Sequence, residues 1–341
     1  MDRRATLALK WAGLSARAAA LSVAALLGAA SGGCGGANDS LALVGGEQVD
    51  AATIDRDPLA LLPSGIVMLG YLDATAMFRS GVGGEVEQIV NGLLPIGQES
   101  NFVPSRDVTR VYGGLYAMQG ADFCAVVQGN FDAAAIRRSA DARAVTVLGA
   151  PLVKSRYAGN EMYTAGNLGF VVLTPHTVIT GNETGIRRAL DRLRLGKLES
   201  RVPAWMIKVA ETKNTTFALA GDLTGQPAVA SAAQQVPFLA GLRYVRILGN
   251  FQPPGVNFAG ALTYADAQAA ANGAVALRSL EQIARVATLL TSWGFGVGAA
   301  APMQVAQSQN DVAFTLPLSD GMMRTLLRTA ADAARNAAVR R

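Results

Sequence analysis

Apolar and polar positions alternate along this chain in short runs broken by glycine, proline and aspartate. The run Ile66–Leu72 is continuously apolar and bounded by Pro63 and Gly65, which predicts a buried strand. Asp73 and Thr75 then suit a helix start, because a short oxygen-bearing side chain accepts hydrogen bonds from exposed N–H groups. Phe78, Val82, Val86, Ile89, Val90 and Leu93 recur at helical spacing, although Gly81, Gly83 and Gly84 interrupt them. Strands follow over 108–118 and 121–130, and Asp132 opens a helix. Further strand-like segments cover 152–158, 161–165, 168–174 and 177–180. The next helix carries Ile186, Ala189, Leu190 and Leu193 on one face and mainly arginines on the other.

The second half repeats this order. A strand over 216–223 ends in Asp222-Leu223-Thr224, as the first ended in Asp73-Ala74-Thr75. Strands over 243–251 and 256–264 precede Asp266, which opens an Ala-rich helix as Asp132 did. A last strand, 311–316, leads into GMMRTLLR, so that Gly321, Arg324, Leu326 and Arg328 match Gly185, Arg188, Leu190 and Arg192. The expected fold class is therefore α+β: two tandem repeats of β-α-β-β-α-β-β-α, over 58–196 and 197–341, with antiparallel sheets covered by helices. Trp205, Met206 and Val209 predict a short helix wedged at the junction.

Ahead of this body, Arg3, Arg4, Lys10 and Arg17 precede an uncharged stretch, Ala18–Ala30, that is almost entirely Ala, Leu and Val. It is too short to span a bilayer as a stable helix and suits a signal-peptide core. Small residues lead to Cys34. Residues 1–36 resemble the leader of bacterial lipoproteins, in which a peptidase cuts just before a cysteine acylated on sulfur. Ser31 stands where that family has Leu. The resemblance implies a signal peptide over 1–33, lipidation of Cys34 and a multiply acylated anchor that holds the body on a membrane without a transmembrane helix. Cleavage after Ala30 with export as a soluble periplasmic or secreted protein, and an uncleaved anchor, stay open as alternatives. Residues 34–57 read as a flexible tether, rich in Gly, Asn and Asp, with five acids against Arg56.

Removing the leader lowers the net charge from +5 to +2, which leaves little basis for nucleic-acid binding. Of the two cysteines, Cys34 is the lipid candidate and Cys124 sits in an alternating apolar run, as a small buried strand residue does. Two cysteines so placed and one histidine, His176 in the turn LTPHTV, make no metal motif, and no cofactor is expected. Nucleophile-elbow, zinc-protease and phosphate-loop signatures are all missing, and Gly294, Gly296 and Gly298 have the wrong spacing for a dinucleotide loop. Asp73 and Asp222 are explained as caps. Trp293 and Phe295, in the uncharged stretch 286–303, are candidates for contact with a partner or membrane.

These features predict a non-enzymatic, lipid-anchored cell-envelope protein at the outer membrane facing the periplasm. Its task would be structural or the binding of an unknown envelope protein. A periplasmic module for an apolar or lipid ligand is the alternative.

Overall fold

The computed structural model describes residues 49–328 apart from 93, 95, 97, 118–121, 143–145, 147–149, 197, 254 and 293–302. Their strands are β1 (Met68–Asp73), β2 (Val108–Ala117), β3 (Asp122–Gly129), β4 (Val153–Tyr157), β5 (Asn160–Ala165), β6 (Leu168–Val172), β7 (Thr177–Asn182), β8 (Phe217–Asp222), β9 (Leu242–Gln252), β10 (Gly255–Tyr264), β11 (Gln304–Ser308) and β12 (Asp311–Ser319). The helices are α1 (Ala51–Arg56), α2 (Pro58–Leu61), α3 (Ala74–Arg79), α4 (Gly83–Asn91), α5 (Pro104–Asp107), α6 (Ala133–Ala142), α7 (Glu183–Arg194), α8 (Ala204–Ala210), α9 (Pro227–Ala233), α10 (Ala267–Ser292) and α11 (320–328). The fold is mixed α+β, and the strands pair antiparallel. The chain divides into two compact units.

One unit comprises residues 49–75 and Glu87–Glu211. Its strands lie in the order β1-β2-β3-β7-β6-β5-β4. Helix α7 packs against β3, β7 and β6. Asn182 starts it by accepting hydrogen bonds from the Gly185 and Phe123 N–H groups at 3.1 and 3.2 Å. The Ile186, Ala189 and Leu190 stripe is fully buried, and each of the two large side chains contributes about 1.5–3 kcal/mol by leaving water. Gly185 is required here, since a Cβ would fall on the Phe123 carbonyl.

Three expectations for this half change. Residues 51–56, read as tether, form α1: Asp50 caps it by accepting from Thr53 N–H at 2.8 Å, and Ile54 is buried. Asp55 then fixes α1 to the β6–β7 turn, accepting from the Thr174 and Thr177 hydroxyls at 2.6 and 2.7 Å. The helical stripe from Phe78 to Val90 is broken into α3 and α4, because the Ser80 hydroxyl donates to Met77 O at 2.6 Å and Gly83 sits against the Phe78 backbone; Leu93, at its end, lies outside the described residues. Helix α8, assigned by sequence to the second repeat, packs on β1 within this unit and buries Met206 and Ala210.

The other unit comprises Ala76–Val86 and residues 212–328. Its strand order is β8-β9-β10-β12-β11. Asp266 caps α10 through Ala269 N–H at 2.7 Å, and α10 lies along β10, β12 and β11 with Ala270 and Ala274 buried. Tyr264 donates to Phe238 O at 2.8 Å, and Gly273 leaves room for the Tyr264 ring. The segment from the first half is clasped by α11: Arg324 donates to Gly81 O at 2.6 Å, and Arg328 pairs with Glu85. Strand β11 was not foreseen. Its sequence, QVAQS, has too little apolar content to read as a strand, and only pairing with β12 makes it one.

Candidate functional site

The two faces of the β9–β10–β12 layer differ. Val256, Leu262 and Tyr264 of β10, with Val312 of β12, are buried on the face that meets α10. The register of β10 places Asn257 opposite Asn250 and Pro317, and Ala259 opposite Leu248 and Thr315. These six residues alternate with the buried set, so they lie on the other, open face. Together with Asn214 and Thr215 they line a shallow groove of about 320 Å³.

Local sequence explains each part of the groove. The β9–β10 hairpin brings Asn250 and Asn257 side by side, and Asn257 Nδ2 donates to Asn250 Oδ1 at 3.3 Å. That bond uses one donor and one acceptor of a pair carrying four N–H donors and two carbonyls. Asn214 occupies a left-handed turn, φ 60°, which Asn tolerates better than most residues. Thr216 holds this turn on β9: its hydroxyl donates to Gly249 O at 3.2 Å and accepts from Phe251 N–H at 3.2 Å. Gly249 and Phe258 complete the lining, which contains carboxamides, hydroxyls, aliphatic groups and one aromatic residue and no charged side chain. One row along the open face, Arg246 is tied to Thr263 at 3.3 Å and lies 4.0 Å from Asp311, so that charge closes on itself.

The residues singled out by sequence lie elsewhere. Cys34, Trp293 and Phe295 fall outside the described residues. Cys124 is a fully buried free thiol on β3, as expected. Burial pushes its pKa up to about 12, with Asp122 adding to the rise and Arg188 opposing it. Arg188 donates to Asp122 at 2.8 Å and to Ser64 O at 2.6 Å, and its guanidinium lies 4.7 Å from the Tyr116 ring centre. Tyr116 is raised well above an ordinary phenol by the same burial. A thiol and a phenol held neutral under an arginine brace form a packing cluster, with no activated nucleophile in it. His176 is exposed in the β6–β7 turn, with Nδ1 3.0 Å from Gly129 O. Asp222 closes a turn by accepting from Thr224 N–H at 3.0 Å, and α9 begins only at Pro227. Its expected role as a helix cap is therefore replaced by a turn. Asp73 ends β1 immediately before α3.

The groove residues escaped the sequence reading because they are single polar positions in alternating strands. Their signal was the period-two pattern around the turn GNFQPPGVNF, which places Asn250 and Asn257 on one face once the hairpin register is known.

Among the described residues, no cluster of His, Cys, Asp and Glu could hold a metal ion, and no helix is long and apolar enough to cross a membrane. No family model matches the sequence, and no curated protein matches it. Among solved structures, the chain is similar to crystal forms III, I and IV of TP0453, at TM-scores of 0.49, 0.48 and 0.46 and identities of 13%, 15% and 12%. Each covers 80% of this chain, over 97%, 97% and 96% of its own length.

Proposed function

We propose that this chain is a lipid-anchored cell-envelope protein that performs no reaction of its own and binds an envelope component through the open face of the β9–β10–β12 layer. The observation that carries this reading is the groove itself. It is an open, uncharged, carboxamide-lined surface, which offers contacts for recognition and no converging acid, base or nucleophile for chemistry. The leader supports the address: residues 1–36 resemble those of bacterial lipoproteins, and in this reading an acylated Cys34 anchors the body at the outer membrane, facing the periplasm.

The body itself arose by duplication in this reading. The strand orders β1-β2-β3-β7-β6 and β8-β9-β10-β12-β11 support it, because each runs strand, hairpin, returning strand. The matched arginines support it too. Arg188 and Arg192 of α7 donate to the carbonyls of Ser64 and Ala60, while Arg324 of α11 donates to that of Gly81 and Arg328 pairs with Glu85. Gly185 and Gly321 match less well, since a Cβ on Gly321 would meet nothing within 4 Å.

Two measurements test the proposal. Wild type is expected to label with fatty acid and enter the detergent phase, whereas Cys34→Ala does neither; equal partitioning without label in both forms removes the anchor. Cross-linking in intact envelopes is expected to yield an adduct that Asn250→Ala plus Asn257→Ala abolishes. An adduct indifferent to those substitutions removes the binding face.

A further inference from the structure

Resting on the binding face proposed above, we propose that the groove recognises a neutral saccharide, presented as part of an envelope glycan. Charge complementarity is the first reason. Anionic lipid headgroups, phosphates and nucleic acid need cations, and cationic ligands need carboxylates; the groove lining supplies neither. The nearby Arg246 is engaged with Thr263 and Asp311 on its own face.

Hydrogen-bonding character is the second reason. Asn214, Asn250 and Asn257 present donors and acceptors side by side, and Thr215 and Thr315 add hydroxyls that do both. A sugar hydroxyl also donates and accepts, so a polyhydroxylic ligand can satisfy such a lining whichever way it turns. A hydrocarbon chain laid in the same place would strip water from the carboxamides and return no hydrogen bonds.

The third reason is shape. Leu248, Ala259 and Pro317 form a short aliphatic strip beside the carboxamides, suited to the C–H face of a sugar ring. The volume of about 320 Å³ lies at the small end of the range for small-molecule sites. An extended peptide recognised by strand addition would seek a sheet edge, whereas this groove lies on a sheet face. A folded protein would seek large aromatic or arginine anchors at the centre of the patch; the groove has no arginine, and its one aromatic residue, Phe258, alternates with the open-face residues Asn257 and Ala259 of β10.

The test uses the full-length lipidated protein in micelles of a detergent without a sugar headgroup. Titration calorimetry with triacetylchitotriose is expected to give saturable binding that is unchanged between 0.05 and 0.5 M salt (about one decade), since no charge is neutralised. Asn250→Ala and Asn257→Ala should each raise the dissociation constant about three- to tenfold, the usual span for one lost hydrogen bond. Thr315→Val, at an exposed position where folding is not in question, should raise it by about twofold or more. Circular dichroism and the melting temperature of each variant report folding. Lack of saturable binding overturns the inference, as does binding equal in all variants. Salt-sensitive preference for the deacetylated, cationic trisaccharide or for phosphatidylglycerol vesicles also overturns it. If the envelope cross-link depends on Asn250 and Asn257 while the trisaccharide does not bind, the saccharide is wrong and the binding face survives. If neither depends on them, both fall.

Discussion

Substituting Asp55 by Ala tests whether α1 belongs to the folded body. The Asp55 carboxylate accepts from the Thr174 and Thr177 hydroxyls at 2.6 and 2.7 Å, and its backbone carbonyl accepts from Gln128 Nε2 at 2.8 Å. Thr177 is fully buried and Thr174 is 4% exposed, so neither hydroxyl gains a water when the carboxylate is removed. Hydrogen bonds to a charged acceptor contribute about 1.5–3 kcal/mol each. Asp55 is half-buried, which favours the lower end and gives about 3 kcal/mol for the pair. For a unit of this size that corresponds to a fall of roughly 6–12 °C in its melting temperature. Asp55→Asn keeps one carbonyl acceptor and should cost about 1 kcal/mol. Calorimetry follows the melting transition, and hydrogen exchange of residues 51–56 reports α1 directly. In Asp55→Ala those amides should lose protection together with the lowered transition. A shift below about 1 °C, with residues 51–56 exchanging as an open chain in wild type, would refute the latch and restore the tether to its full length.

The glycines of α7 and α11 should respond oppositely. Gly185→Ala drives a methyl into the Phe123 carbonyl and should cost about 1–3 kcal/mol in denaturant melts, whereas Gly321→Ala meets open space in a helical turn and should be neutral or stabilising by up to about 1 kcal/mol. Equal losses at both would remove the close approach at Gly185. The Cys124 thiol, with its pKa pushed up to about 12, should resist iodoacetamide at pH 8 in the native protein and react once denatured. Its folded pKa lies above that of an ordinary thiol, so the unfolded thiol ionises first. Its contribution to stability is complete below about pH 9 and is lost as pH rises toward about 12. Cys124→Ala should therefore flatten the alkaline limb of the stability profile, and an unchanged slope would contradict the burial. Glu85→Gln should loosen α11 by about 1 kcal/mol, because Arg324 and Arg328 are largely exposed, and high salt should have the same effect on wild type. Exchange protection of 321–328 measures it.

Local chemistry made much of this fold readable. Asp132 and Asp266 were legible as caps, and each accepts from the N–H three residues on. The α7 stripe was legible because its period leaves one face apolar, and that face is the buried one. Where local signals competed, tertiary contacts decided. Glycine and charge made 51–56 look like coil, yet Ile54 has a core to enter and Asp55 has two buried hydroxyls to satisfy.

The candidate site was less legible than the fold. Asn250 and Asn257 are ordinary residues in sequence, and only antiparallel register sets their carboxamides together. The sequence by itself determined the near-neutral charge of residues 34–341, the order of most strands and helices, and the buried setting of Cys124. Those follow from composition and periodicity, which are properties of neighbours along the chain. Tertiary structure alone decided that Ala76–Val86 joins the later residues, that QVAQS is a strand, and that an uncharged groove opens on one sheet face. Each of these depends on pairing between residues far apart in the chain, where no local pattern records which partners meet.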